Sequence, residues 1–273
     1  MRQVDYTKRY FLDHNLNNNK KKTLVKIYVF NRYNFEFIYH FLESLMYPII
    51  FQYKMITIGG YGIMLGLAFY LAFLLSEREL KLRNMDPELA YKVLITIVPS
   101  AIIGAKIFHI LDYFKEFLND PIAMIFSGSG LSVLGGFVLS FVTASIVIKR
   151  NNYKILEVFD LASPAMALGY FIGRLGCHMA GDPCYGIQTT TLFGTAYPNG
   201  LAPVSFAVFP TPLFESLFAF ISLLILMQLR KRLETMGKVF SVFLILHGIS
   251  RFIVEFLRTN PKIGLGLTQA QYI

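Results

Sequence analysis

Apolar residues run along most of the chain in blocks of about twenty, divided by short polar turns, the length an α-helix needs to cross a hydrocarbon core. The pattern predicts six spans: Ile56–Ser76, Tyr91–Leu111, Leu131–Ile148, Leu156–Leu175, Val208–Leu229 and Gly237–Leu257. The predicted fold is therefore all-α, a polytopic membrane helical bundle with about six transmembrane helices. Between the first two spans, Asp86 is placed to cap a helix and Pro87 to occupy its first position. Ahead of the spans, "FEFIYHFLESLMYPIIF" is aromatic but interrupted by Glu36, His40, Glu43 and Pro48, and reads as an interfacial helix. Residues 1–30 are polar and basic, with too little apolar surface to offset the entropy of ordering. This divides the chain into a basic N-terminal extension, residues 1–45, and one transmembrane domain, residues 46–273.

Composition agrees with the pattern. Of the 273 residues, 55% are hydrophobic and 16% charged, where soluble domains carry about 25% charged residues. The formal charge of +9 is assigned to juxtamembrane loops facing anionic lipid, not to nucleic acid. Lys149, Arg150 and Lys154 follow the third span, and Arg230, Lys231 and Arg232 follow the fifth. The loop Met179–Ala207 holds no Lys or Arg. The positive-inside rule then puts the basic turns in the cytoplasm and the segment Gly173–Gly186 on the outer side.

Charges inside membrane spans are costly and mark function by default. In the sixth span His247, Arg251, Glu255 and Arg258 follow one another at intervals of four, four and three residues, and so share one helical face. Two readings arise: a self-satisfied ion-pair ladder, or a wet cavity for an anionic head group, with positive charge to spare. The segment "GRLGCHMAGDPCYG" ends the fourth span with Arg174, whose planar fork suits phosphate. It also holds His178 and Asp182, an acid–base pair only if the helix continues past Gly181 and Pro183, and the two cysteines of the chain. A metal reading on Cys177, His178 and Cys184 matches no zinc spacing. No metal is therefore expected, and a Cys177–Cys184 disulfide is the more probable use of the pair. "SGSGLSVLGG", Ser127–Gly136, could cradle a phosphate with backbone amides or pack tightly against another helix. Lys106 and His109 lie in the second span and Tyr61 in the first.

Together these segments resemble the prolipoprotein diacylglyceryl transferase family. "GRLGCHMAGD" is similar to the family signature, and "YGIMLGLAF", "GAKIFHIL", "GLSVLGG", "FPTPLFES" and "GISRFIVEFLR" follow in the family's order, from about Met46 onward. The resemblance implies a multi-pass enzyme of the bacterial inner membrane. Such an enzyme moves a diacylglyceryl group from phosphatidylglycerol to the lipobox cysteine of a prolipoprotein signal peptide, with no cofactor. It implies a further span after "TQAQYI". It also implies that Arg174 and Arg251 handle the lipid head group, with Arg258 beside them, that Glu255 is the carboxylate on their helix, and that Tyr61 and the pair Gly135–Gly136 are site residues. Four positions depart from the family pattern. Leu134 stands in place of a His, Cys177 of an Asn, Asp182 of a Glu and His247 of a Tyr. Leu134 cannot move a proton, which leaves His178 or His247 as the expected base. Two rivals follow: the same fold acting on another acceptor, and a phospholipid-binding or transport protein without turnover.

Overall fold

A computed structural model describes residues 46–53, 56–127, 130–191, 193–232 and 235–272. The polar arm and the aromatic stretch up to residue 45 lie outside these residues. The described chain opens on an antiparallel hairpin, β1 (Ile49–Tyr53) with β2 (Ile56–Gly59). This corrects two expectations. The end of the aromatic stretch is a strand, and the first span starts at Gly60, not Ile56. β-Branched and aromatic residues dominate both strands, and such residues favour a pleated surface.

Helix α1 (Gly60–Leu82) follows, then α2 (Glu88–Asp112), two short helices α3 (Phe114–Asn119) and α4 (Pro121–Phe126), α5 (Val133–Arg150) and α6 (Ile155–Ala180). A second hairpin, β3 (Thr195–Tyr197) with β4 (Val204–Val208), leads into α7 (Thr211–Leu229) and α8 (Lys238–Glu255). The described chain ends with β5 (Lys262–Gly264), β6 (Leu267–Thr268) and α9 (Gln269–Tyr272). Among the described residues, five helices, α1, α2, α5, α6 and α7, are long and apolar enough to cross a membrane. The sixth predicted span is helical too, but its 18 residues include Lys238, Arg251 and Glu255. Large apolar side chains such as Ile102, Phe137, Leu217 and Ile245 face outward, as lipid-facing positions do.

Asp86 acts as expected at the start of α2, where its Oδ1 accepts the Glu88 N–H at 2.9 Å. The three basic turns gather at one end of the bundle. There the Tyr153 hydroxyl accepts the Asp86 N–H at 3.0 Å, Arg83 donates to the Arg230 carbonyl at 3.2 Å, and Arg230 pairs with Glu79. Asp160 of α6 accepts the N–H groups of Gly237 and Phe240 at 2.6 and 2.7 Å. That contact holds the N-terminus of α8 against α6 and fixes where its charged face falls.

Helix α2 packs on α5, α1 on α6, and α7 and α8 on α6. The α2–α5 contact depends on glycine. A Cβ on Gly135 would lie 2.3 Å from the Gly104 carbonyl oxygen and 2.4 Å from Phe108 Cβ. Gly135→Ala is therefore expected to force the two helices apart and to cost about 1–3 kcal/mol. The check is the thermal midpoint in detergent, and an unchanged midpoint would contradict this close approach.

Candidate functional site

The site begins with one carboxylate. Glu215 lies in the second turn of α7, fully buried. Two bonds set its position. The Thr211 hydroxyl donates to the Cys184 carbonyl at 2.5 Å, and the Ser216 hydroxyl donates to the Phe171 carbonyl at 3.1 Å. The first ties the start of α7 to the loop after α6 and the second ties it to α6 itself, so Glu215 meets Arg174 one turn beyond Phe171. Arg174 Nε lies 2.8 Å from Glu215 Oε2. Arg251 of α8 donates to Glu215 Oε1, and Arg258 Nη1 lies 3.5 Å from the same oxygen.

A second buried carboxylate, Glu255, completes the cluster. Arg251 Nη2 donates to its Oε2 at 3.1 Å, and Arg258 Nε lies 3.9 Å away. Its Oε1 accepts from Asn260 Nδ2 at 2.6 Å and from the Thr268 hydroxyl at 2.9 Å. The β5–β6 hairpin makes this possible by turning the chain back through Leu265 and Gly266, at φ 44° and 75°, which brings Thr268 to the end of α8. Three guanidinium groups face two carboxylates, so one positive charge is left over. Arg174 also lies over the Tyr170 ring, 5.0 Å from its centroid. The predicted face of α8 therefore closes on Glu215 through Arg251, whereas the helix ends at Glu255 and Arg258 reaches the same carboxylate from beyond it, where it bridges to Gly186. His247 is one turn away, edge-on to Tyr170 at 4.7 Å and stacked on Phe243 at 5.9 Å. With Ser250 and Ser222 it lines a cavity of about 10 Å³, room for about one water.

The end of α6 forms a second group. The helix runs to Ala180 and stops where Gly181 takes φ 57°. The helix does not continue past Gly181, so the His178–Asp182 pair that required it does not form, and the turn gives each a different partner. His178 is buried and its Nδ1 is 2.9 Å from the Tyr197 hydroxyl, whereas Asp182 Oδ1 accepts the Cys184 N–H at 2.9 Å. Burial pushes the Tyr197 phenol up from its usual value. Cys177 and Cys184 are free thiols, so the expected disulfide is not formed. The neighbouring Cys177 side chain draws the Cys184 thiol below its usual value. Arg174 Nη1 is 4.0 Å from Cys177 Sγ. Tyr61 of α1 stands beside this group, with its Cδ2 3.5 Å from where a Cβ on Gly176 would be. The loop after α6 is laced to the end of α8, since the Ile187 N–H donates to the Leu257 carbonyl at 2.8 Å and Gly186 bridges to Arg258.

The remaining expected residues lie elsewhere. Gly135 and Gly136 face α2, where a Cβ on Gly136 would be 3.0 Å from the Ala101 carbonyl, and Leu134 is exposed. Lys106 donates to the carbonyls of Met124 and Ser127 at 3.1 and 2.9 Å, and Gly130 packs on His109. Residues 128 and 129 of the glycine-rich stretch lie outside the described residues. Sequence reasoning missed Glu215, Asn260, Thr268 and Tyr197. Only Glu215 carried a signal, as a carboxylate inside an apolar run.

Spans that close around a buried, net-positive cluster at one end define a polytopic membrane protein. Residues 48–273 match the family model described as prolipoprotein diacylglyceryl transferase, and the chain belongs to that family of membrane transferases. The resemblance read from the motifs therefore holds. The chain is 30% identical over 230 residues to the phosphatidylglycerol–prolipoprotein diacylglyceryl transferase of Clostridium tetani, covering 84% of this chain and 92% of that protein. It is 34% identical over 222 residues to an enzyme of the same name, numbered 2, from Clostridium perfringens, covering 80% of this chain and 86% of that one. The Finegoldia magna relative is 32% identical over 209 residues, 75% of this chain and 81% of its own length.

Proposed function

We propose that the chain transfers the diacylglyceryl group of phosphatidylglycerol to the lipobox cysteine thiol of a prolipoprotein signal peptide, the first step of lipoprotein maturation. The observation that carries this reading is the convergence of Arg174, Arg251 and Arg258 on Glu215, with one positive charge to spare. The acceptor thiolate attacks the glyceryl carbon, a C–S bond forms, the C–O bond to phosphate breaks, and glycerol phosphate leaves. Negative charge grows on the departing phosphate, and the arginines stabilise it in a site that excludes water. Glu215 and Glu255 hold the guanidinium groups in place before the lipid arrives, so little reorganisation is left for the reaction itself.

His247 and Tyr170 act together as positioning residues, the ring of Tyr170 lying between His247 and Arg174. His178 fixes Tyr197 and with it the outer loop. Tyr61, Cys177 and Asp182 border the end of α6, where the acceptor peptide enters. The site faces the outer side of the bacterial inner membrane. Support comes from the three basic turns at the opposite end of the bundle and the lack of Lys or Arg in Met179–Ala207.

The test uses purified protein, phosphatidylglycerol labelled in its glycerol head group, and a lipobox peptide. Labelled glycerol phosphate is expected only when the peptide carries its cysteine. A serine peptide that supports equal release would refute the acceptor, and no release beside an active control enzyme would refute turnover. Spheroplasts should accept the peptide from outside; acceptance only by inverted vesicles would reverse the orientation.

A further inference from the structure

We propose that Cys177, Asp182 and Cys184 form a binding site for a thiophilic divalent cation of the zinc class, and that its fourth position receives the acceptor cysteine as a thiolate. The first half stands on the geometry of this chain alone. The second rests on the transferase reading.

One ligand atom from each of the three residues lies within 4.8 Å of the other two. A tetrahedral zinc ion with bonds of about 2.3 Å to sulfur and 2.0–2.2 Å to oxygen needs its ligand atoms about 3.5–3.8 Å apart. The three side chains must therefore close by only about 1 Å. The backbone already holds them. Cys177 sits in the last turn of α6, and Gly181 reverses the chain so that the Asp182 N–H donates to the Cys177 carbonyl at 3.4 Å. The Cys184 carbonyl is anchored by Thr211, and Asp182 Oδ1 is held by the Cys184 N–H, while the second carboxylate oxygen retains its own acceptor sites.

The chemistry of the donor set selects the ion. Two sulfurs favour zinc-class metals over magnesium or calcium, which prefer oxygen. Two thiolates and a carboxylate around a dication leave one negative charge, which Arg174, 4.0 Å from Cys177 Sγ, offsets. Three protein ligands leave one position open, the arrangement of reactive zinc sites as opposed to structural ones. The open position also answers a need of the reaction. An acceptor thiol must lose its proton before it can act as a nucleophile, yet Leu134 cannot take one and His178 is engaged by Tyr197. On entering the fourth position in place of water, the acceptor S–H, acidified by the cation, gives its proton to solvent. The sulfur, now a bound thiolate, forms the C–S bond as the glyceryl C–O bond breaks.

Cobalt(II) serves as the probe. Reduced full-length protein in detergent is expected to bind one Co2+ per chain, with thiolate-to-metal charge-transfer absorption that Zn2+ abolishes by displacement. Cys177→Ser and Cys184→Ser should each remove most of that absorption, and Asp182→Asn should weaken Co2+ binding. No such band, a band unchanged in the double cysteine variant, or a Cys177–Cys184 disulfide in freshly isolated protein would overturn the site. A cysteine lipobox peptide should shift the cobalt spectrum, and a serine peptide should not. Glycerol phosphate release with an unmoved spectrum would overturn the acceptor role and leave the transferase reading intact. A peptide-dependent shift without release would do the reverse.

Discussion

Glu215→Gln is expected to abolish transfer and to lower the thermal midpoint in detergent by about 10 °C. The side chain has no exposure to solvent and meets Arg174, Arg251 and Arg258 at once. Neutralising it leaves three guanidinium groups against Glu255 alone. Two positive charges are then uncompensated in a largely buried cluster, where water screens them only in part. Removing one partner of a buried ion pair costs about 3–5 kcal/mol, and each kcal/mol shifts the midpoint of a chain this size by about 2–4 °C. Activity falls for a separate reason: without Glu215 the arginines no longer share one anchor, and their donors no longer meet the leaving phosphate in a fixed arrangement. Adding Arg251→Met to Glu215→Gln separates the two effects. The double variant should regain part of the lost midpoint, because one unpaired charge is gone, and should stay inactive. A single variant with wild-type midpoint and turnover would show that the three arginines do not depend on this carboxylate.

The prominence of Glu215 also marks where sequence reading stopped. Periodicity placed the spans to within a few residues, because a membrane imposes length and apolarity on a local stretch of chain. It also placed Arg251 and Glu255 on one face, because helix geometry fixes spacing, but extended that face to Arg258, which lies past the end of α8. What faces that face is not a local property. Glu215 joins it through contacts between α6, α7 and α8, and Thr268 through a hairpin that returns to Glu255. The cysteine group failed for the same kind of reason. His178 was adjacent to Cys177 and so entered the metal reading, yet neighbours on a helix point about 100° apart. The turn at Gly181 instead brings Asp182 and Cys184 back over the helix end. The glycine pair Gly135–Gly136 admitted both a ligand cradle and a helix contact in sequence, and only the position of α2 supplies the contact.

Arg251→Lys should lower kcat about 10²–10³-fold with little change in KM for phosphatidylglycerol. Of the three arginine side chains, Arg251 is the most open, at 21% relative exposure against 16% for Arg174 and 10% for Arg258. It is also the one that hydrogen-bonds both carboxylates, one terminal nitrogen on Glu215 and the other on Glu255. Its position is therefore fixed by two carboxylates, and the N–H donors they do not use are left for the phosphate. A lysine keeps the charge but concentrates it on one nitrogen, which cannot hold two carboxylates and a phosphate in a planar fork. Losing one preorganised donor aimed at developing charge costs about 2.7–4 kcal/mol at the transition state. Because that charge develops only as the C–O bond breaks, the loss belongs in kcat and not in ground-state binding. Retaining one charge should also leave the Arg251→Lys midpoint far closer to wild type than that of Glu215→Gln. The measurement is steady-state release of glycerol phosphate across a range of phosphatidylglycerol mole fractions in mixed micelles. A raised KM at unchanged kcat would assign Arg251 to uniform head-group binding. Turnover within about twofold of wild type would remove Arg251 from the reaction and leave the leaving phosphate to Arg174 and Arg258.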